Sequence, residues 1–229
     1  MNATIQVAPR IPPFRLAGRA LFLISGGIDS PVAASMLISK GVVPVFAYFD
    51  NYPLCDQAAE SIAIETAKRA CTYHHLQPCK MYVIPHSPDL QEIVTKCPEK
   101  LACILSKRMM FRIAERIAAQ ENCDAIVTGD AIGQKASQTL QNITATDYVL
   151  EKLAVLRPLV SMNKSQIERH ARKIGTLEIS IRPGVSTCGV PTQNPSTSAR
   201  RVRLEEAEVN LNIQSMVERA IRNSRVVTV

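Results

Sequence analysis

The chain has 229 residues, which suits one sizeable α/β domain or one domain with a short appendage. Hydrophobic residues make up 46% and charged residues 21%, ordinary globular composition, while 4% aromatics and no Trp leave little for a base-stacking platform. The 27 Lys and Arg exceed the 20 Asp and Glu to give a formal charge of +7, compatible with attraction to nucleic acid and equally with a solvated surface.

Residues 1–18 carry three prolines and two arginines without a clear period and read as an arm or linker. The apolar run Ala20–Ile24 predicts a buried strand, and Pro31–Lys40 has helical spacing with Val32, Met36 and Leu37 on one face. Val42–Phe49 predicts a second strand, Ala58–Cys71 an alanine-rich helix and Lys80–Ile84 a third strand. Leu101–Gln120 is a long amphipathic helix, followed by a strand at Ala125–Thr128 closed by Gly129. Ser137–Ile143 reads as helical, Leu153–Leu156 as a fifth strand and Ser165–Ile174 as a helix stopped by Gly175. Ser180–Ser198, rich in Pro, Thr and Ser, reads as a long loop of the kind that carries function, and a final charged helix spans Ala199–Arg222. Strands alternating with helices predict a doubly wound α/β fold: a mainly parallel five-stranded sheet with helices on both faces, over residues 19–229.

The seven cysteines are odd in number, irregular in spacing and free of any C-x-x-C pair. That excludes a secreted disulfide framework and a sequence-local zinc site. The four histidines have no metal-ligand spacing and read as structural or surface residues. No stretch is long and apolar enough to span a bilayer, and no signal-like core is present, so the expectation is a soluble cytoplasmic protein.

The strongest local signal is Ser25-Gly26-Gly27-Ile28-Asp29-Ser30, between a buried strand and a helix. Two glycines let the backbone turn sharply and approach a ligand closely. Ser25 and Ser30 add hydroxyls, and the following helix points free N–H groups at the turn, which suits an anion. Asp29 is a poor phosphate neighbour by itself and makes sense as a Mg²⁺ ligand. The chain lacks G-x-x-x-x-G-K-[ST], so this is not an ordinary P-loop, and lacks the dinucleotide fingerprint G-x-G-x-x-G after a strand. The bland alternative is a tight turn with a helix-capping Asp or Ser.

S-G-G-x-D-S resembles the signature of the PP-loop ATP pyrophosphatases, enzymes of adenine nucleotide alpha hydrolase-like fold that split ATP into AMP and pyrophosphate while adenylating a substrate. Further segments narrow the resemblance. Phe49-Asp50-Asn51-Tyr52-Pro53, Ser106-Lys107-Arg108-Met109-Met110, Thr128-Gly129-Asp130-Ala131-Ile132-Gly133-Gln134, Ser137-Gln138-Thr139-Leu140, Leu156-Arg157-Pro158-Leu159 and Cys188-Gly189-Val190 occur in the family's order. Together they resemble the catalytic domain of the ThiI family, tRNA 4-thiouridine synthetases also linked to thiamine thiazole formation. The resemblance covers roughly residues 19–197. It implies an ATP-dependent sulfurtransferase that adenylates a carbonyl, uridine in tRNA, and then inserts sulfur.

By this resemblance, ATP contacts fall at Leu23, Ile24, the loop residues Ser25, Gly26, Gly27, Asp29 and Ser30, and at Tyr48, Phe49, Lys107, Gly129 and Gln138. The catalytic set is Asp29, Lys164 and Cys188, with Mg²⁺ on Asp29. Core packing is the alternative for Tyr48 and Phe49, an ordinary exposed lysine for Lys164 and a bystander thiol for Cys188. Lys107 and Arg108 start a long helix, where cations oppose the macrodipole, so phosphate or a tRNA backbone would explain them; a solvated face is the alternative. Nearby Arg182 would favour a Cys188 thiolate, and Cys103 would be its disulfide partner. Ser106 occupies the second position of a C-x-x-C that accompanies an iron–sulfur cluster in archaeal members, which argues against a cluster.

Full ThiI proteins carry a THUMP domain that grips tRNA, and some a rhodanese domain that delivers sulfur. Eighteen residues before the first strand are too few for the former, and nothing here matches the latter. The expected partners are therefore tRNA, directly or through a separate tRNA-binding subunit, and a sulfur donor protein or sulfide; a homodimer is open. Two alternatives stand beside this reading. One is a PP-loop enzyme thiolating or amidating a small molecule such as a thiazole or nucleobase precursor. The other is a non-catalytic nucleotide-binding subunit.

Overall fold

The structure, a computed structural model, describes residues 18–76, 78–182 and 194–229. Its centre is a six-stranded sheet in the order β5-β4-β1-β2-β3-β6. The strands are β1 (Arg19–Ile24), β2 (Val43–Asp50), β3 (Lys80–Pro85), β4 (Ala125–Val127), β5 (Ala154–Leu156) and β6 (Arg225–Thr228). The first five are mutually parallel, and β6 pairs antiparallel with β3.

Burial on both faces explains why the central strands read as continuous apolar runs. Side chains alternate along β1, so Leu21 and Leu23 enter one core and Ala20, Phe22 and Ile24 the other. The first core also takes side chains from α4 (Ala102–Gln120), α8 (Arg201–Glu208) and α9 (Ile213–Arg222). The second takes α1 (Asp29–Ile38), α2 (Ala58–Tyr73) and α6 (Lys164–Ile174). This is the doubly wound arrangement expected. The chain leaves β1 toward β2 and later returns to pair β4 on the other side of β1. The carboxyl ends of β1 and β4 therefore flank the topological switch point, where open α/β sheets bind ligands.

Four expectations need correction. The sheet has a sixth strand, β6, because the carboxyl-terminal segment adds to the free edge of β3. An unforeseen helix, α3 (Ser87–Lys96), follows β3, opened by Pro88 in its first turn. The stretch read as one helix from Ser137 is a short 3₁₀ turn, Ala136–Gln138, followed by α5 (Leu140–Asp147), which Thr139 caps by accepting from the Asn142 N–H. The final helix is two: α9 begins at a new cap, where the Asn212 side chain accepts from the Ser215 N–H. A four-residue helix, α7 (Leu177–Ser180), precedes the long loop, of which residues 183–193 lie outside the described residues. Among the described residues no helix is long and apolar enough to cross a membrane.

One carboxylate ties α8 to α4. Glu208 accepts from Arg108 at 2.8 and 2.7 Å and from Arg112 at 2.7 and 2.8 Å. Burial pushes its carboxyl up, but these guanidinium bonds outweigh it and bring the pKa from 4.5 down to about 2. Glu208→Ala should destabilise the fold by roughly 3–5 kcal/mol, because it leaves buried Arg108 unpaired. A depressed carboxylate contributes stability above its unfolded pKa. The gap in chemical-denaturation stability between wild type and variant should thus be full above pH 4.5 and close as pH falls towards about 2.

Candidate active site

The glycine loop is closed by its own serines. The Ser25 N–H donates to Ser30 Oγ at 3.1 Å, the two hydroxyls meet at 3.3 Å, and the Gly27 N–H donates to Ser25 Oγ at 3.4 Å. Gly26 has a left-handed φ of 73°, and a Cβ there would fall 3.2 Å from Ile62 Cγ2 of α2. Among the described residues no side chain caps the start of α1, which leaves its first N–H groups for another acceptor. Gly129, just past β4, seats the loop: a Cβ there would lie 2.7 Å from the Ser30 nitrogen. The close approach that glycine permits at this position is to the loop itself.

A cleft of about 810 Å³ opens at this point, lined by Ser25, Gly27, Asp29, Lys135, Lys164 and Glu168 among others. Asp29 and Lys164, far apart in sequence, thus share one cavity. Burial raises the Asp29 pKa, Lys135 and Lys164 oppose the rise, and Asp130 and Glu168 add to it. Among the described residues the Asp29 carboxylate makes no hydrogen bond or ion pair. A half-buried carboxylate left for an outside partner, beside uncapped helix N–H groups, is chemically suited to Mg²⁺, which takes hard oxygen ligands and often only one or two carboxylates with phosphates. Ser180 Oγ, on the same cleft, is buried without a partner among the described residues. Lys164 is largely exposed and lies 3.8 Å from Glu168. Lys135 was missed from sequence, although a cation directly after Gly133-Gln134 was a usable signal.

Beside the cleft, Asp130 gathers a charge cluster. It accepts from Lys107 Nζ at 2.6 Å, Thr128 Oγ1 at 2.9 Å, Arg157 Nε at 3.3 Å and Gln138 Nε2 at 3.4 Å. Burial pushes its carboxyl up, yet Lys107 above all holds it down at about 2. Arg157 also grips Asp147 of α5 with both terminal nitrogens, one at 2.8 Å. Lys107 and Gln138, predicted as ligand contacts, therefore meet through a residue that sequence reasoning did not single out. Gln138 keeps one buried oxygen without a partner. The helix-start argument for Lys107 and Arg108 is corrected: both lie in the second turn of α4, and their partners are Asp130 and Glu208.

Leu23, Ile24, Tyr48 and Phe49 sit at the carboxyl ends of β1 and β2, with Ile24 opposite Tyr48. All four side chains are buried in the two cores, so only their backbone is available to a ligand. Cys188 lies outside the described residues. Arg182, expected to favour its thiolate, donates to Glu65 through two 2.7 Å bonds. A separate groove of about 730 Å³ between Pro98–Leu101 and α8 includes none of the predicted site residues.

Comparison with known proteins supplies the context. A probable tRNA sulfurtransferase of Acetivibrio thermocellus is 38% identical over 218 residues, covering 95% of this chain and 55% of the relative. One of Moorella thermoacetica is 39% identical over 219 residues with the same coverages. The chain spans about half the length of the curated relatives it matches. The crystal structure of a 4-thiouridine synthetase–RNA complex with bound ATP superposes with a TM-score of 0.87 at 32% identity, over 93% of this chain and 55% of that one. The profile described as thiamine biosynthesis protein (ThiI) matches residues 15–213, and the chain belongs to the ThiI family.

Proposed function

We propose that residues 19–229 form the ATP-dependent adenylating domain of a tRNA sulfurtransferase, with residues 1–18 as an arm. The observation that carries this reading is the unpaired Asp29 carboxylate in a cleft that also holds an uncapped helix start and the Lys135 and Lys164 cations. ATP would lay its phosphates along Ser25–Ser30, with its adenine against backbone at Leu23–Ile24 and Tyr48–Phe49. Asp29 would hold Mg²⁺, which when bound would supply positive charge to the phosphates. Lys164 and Lys135 would face charge developing on the transferring phosphoryl group. The uridine O4 attacks the α-phosphorus, and the bond to pyrophosphate breaks. A donor protein's persulfide-level sulfur, carried on Cys188, adds at C4 and expels AMP; a second thiol then attacks the Cys188 sulfur, breaks the S–S bond to the nucleobase sulfur and leaves a disulfide, whereas sulfide adds at C4 directly and needs no such step. The related 4-thiouridine synthetase with RNA and ATP and the tRNA sulfurtransferase relatives support this acceptor. The sulfur comes from a donor protein or sulfide, and tRNA binds directly or through a separate subunit.

The family's description also names thiamine biosynthesis, which supports a thiazole precursor as a second acceptor. Pyrophosphate release from ATP, measured with tRNA and with thiazole precursors in turn, separates the two.

Asp29→Ala should lower pyrophosphate release by about 100-fold or more while circular dichroism stays unchanged. Normal turnover in this variant would remove the loop from the chemistry.

Lys135 opposes the raised Asp29 pKa, so its loss should raise that pKa further. In Lys135→Ala the acid limb of the kcat/KM profile for pyrophosphate release should therefore move to higher pH. A limb that stays in place would show that Asp29 ionisation does not govern it.

Cys188→Ser should bind ATP and release pyrophosphate yet form no thiolated product. Mass spectrometry of the wild type during turnover should find a persulfide on Cys188, or a disulfide with Cys103. Full thiolation by the variant, with any donor the wild type accepts, rules out the assignment.

A further inference from the structure

Cys71 and Cys79 lie away from the cleft. Cys71 is in the last turn of α2 and Cys79 directly precedes β3, which places both at the amino ends of the parallel strands. The Cys71 thiol donates to the Cys79 sulfur, with the two sulfurs in direct contact. The backbone holds this contact from both sides. His75 takes a left-handed φ of 57°, its N–H donates to the Thr72 carbonyl at 3.1 Å, and the Leu76 N–H donates to the Cys71 carbonyl at 2.9 Å. These are the paired bonds of a Schellman helix stop. Cys79 exchanges two 2.9 Å backbone bonds with Val229.

The two thiols differ in access. Cys71 is fully buried, whereas Cys79 is 7% exposed and lines a separate cleft of about 370 Å³ with Arg19, Lys80 and Glu121. They also differ in acidity. The hydrogen bond from Cys71 pushes the Cys79 thiol below its ordinary pKa against the effect of burial, and Cys71, as donor, is pushed up. Among the described residues no third ligand joins them in a metal cluster.

We propose that Cys71 and Cys79 form a redox-active dithiol, which a low-molecular-mass disulfide entering the Cys79 cleft oxidises to a cystine joining α2 to the start of β3. The Cys79 thiolate attacks one sulfur of the reagent, breaks its S–S bond and releases one thiolate, leaving a mixed disulfide. Cys71 then loses its proton to solvent and attacks the Cys79 sulfur, expelling the second thiolate. Two cysteine thiols are oxidised by two electrons in all, and one external disulfide is reduced to two thiols. The helix so pinned is the one whose other end, at Ala59 and Ile62, rests against Gly26 of the loop.

The test reads thiol state alone and is independent of ATP turnover. The folded full chain is treated with glutathione disulfide, denatured, alkylated and cut with trypsin. Cleavage after Arg69 and Lys80 leaves Cys71 and Cys79, and no other cysteine, on one peptide, residues 70–80. That peptide should emerge unalkylated and two hydrogens lighter than its dithiol form, and take two alkyl groups only after reduction. Cys71→Ser, which lacks the resolving thiol, should keep glutathione on Cys79. The proposal is overturned if the wild-type peptide is alkylated at both positions after treatment, if it retains glutathione without closing, or if Cys71→Ser acquires no adduct.

Discussion

The contact between the end of β4 and the first turn of α1 governs the architecture of the cleft. With a Cβ on Gly129 placed 2.7 Å from the Ser30 nitrogen, backbone meets backbone with no room for a side chain. This approach holds the start of α1 against the carboxyl end of β4. The serine bonds within the loop and the fit of Gly26 against α2 hold the other side. The helix start is thus a fixed source of N–H groups, with the Asp29 carboxylate beside it.

The second constraint is electrostatic. Asp130 is buried, and a lone buried carboxylate would neutralise itself by taking up a proton. Lys107 from α4 and Arg157 after β5 keep it ionised, while Thr128 and Gln138 fill its remaining acceptor positions. One carboxylate thereby orients four side chains drawn from separate elements. Its charge also reaches Asp29, whose pKa it helps to raise. Glu208 plays a parallel part farther out, where two arginines of α4 close on it and fix α8.

These two clusters explain why cations lie on a helix that opens near the site. Read alone, Lys107 and Arg108 oppose the helix dipole and suggest an external anion. The anion is internal in both cases, and the two neighbours in sequence point to different carboxylates on different sides of α4. The cations that face the cleft are instead Lys135, on a loop after β4, and Lys164, at the start of α6.

Local pattern determined much of the protein. Continuous apolar runs specified β1 and β2 because strands buried on both faces admit no polar alternation. The Gly-Gly turn between strand and helix specified the loop because it needs a left-handed residue and a close approach, both visible in residue type. Partnerships across the chain were left to tertiary structure. β6 has no ladder of its own and forms only because β3 leaves an unpaired edge. The split between α8 and α9 follows from a cap at Asn212 that helical periodicity does not weigh. Asp130 and Arg157 carried no isolated signal, since a carboxylate or a cation acquires its role from what folding places within a few ångströms of it. The pairing of Cys71 with Cys79 is of the same kind: they lie eight positions apart in sequence, and a helix stop on one side and a strand ladder on the other bring the two sulfurs into contact.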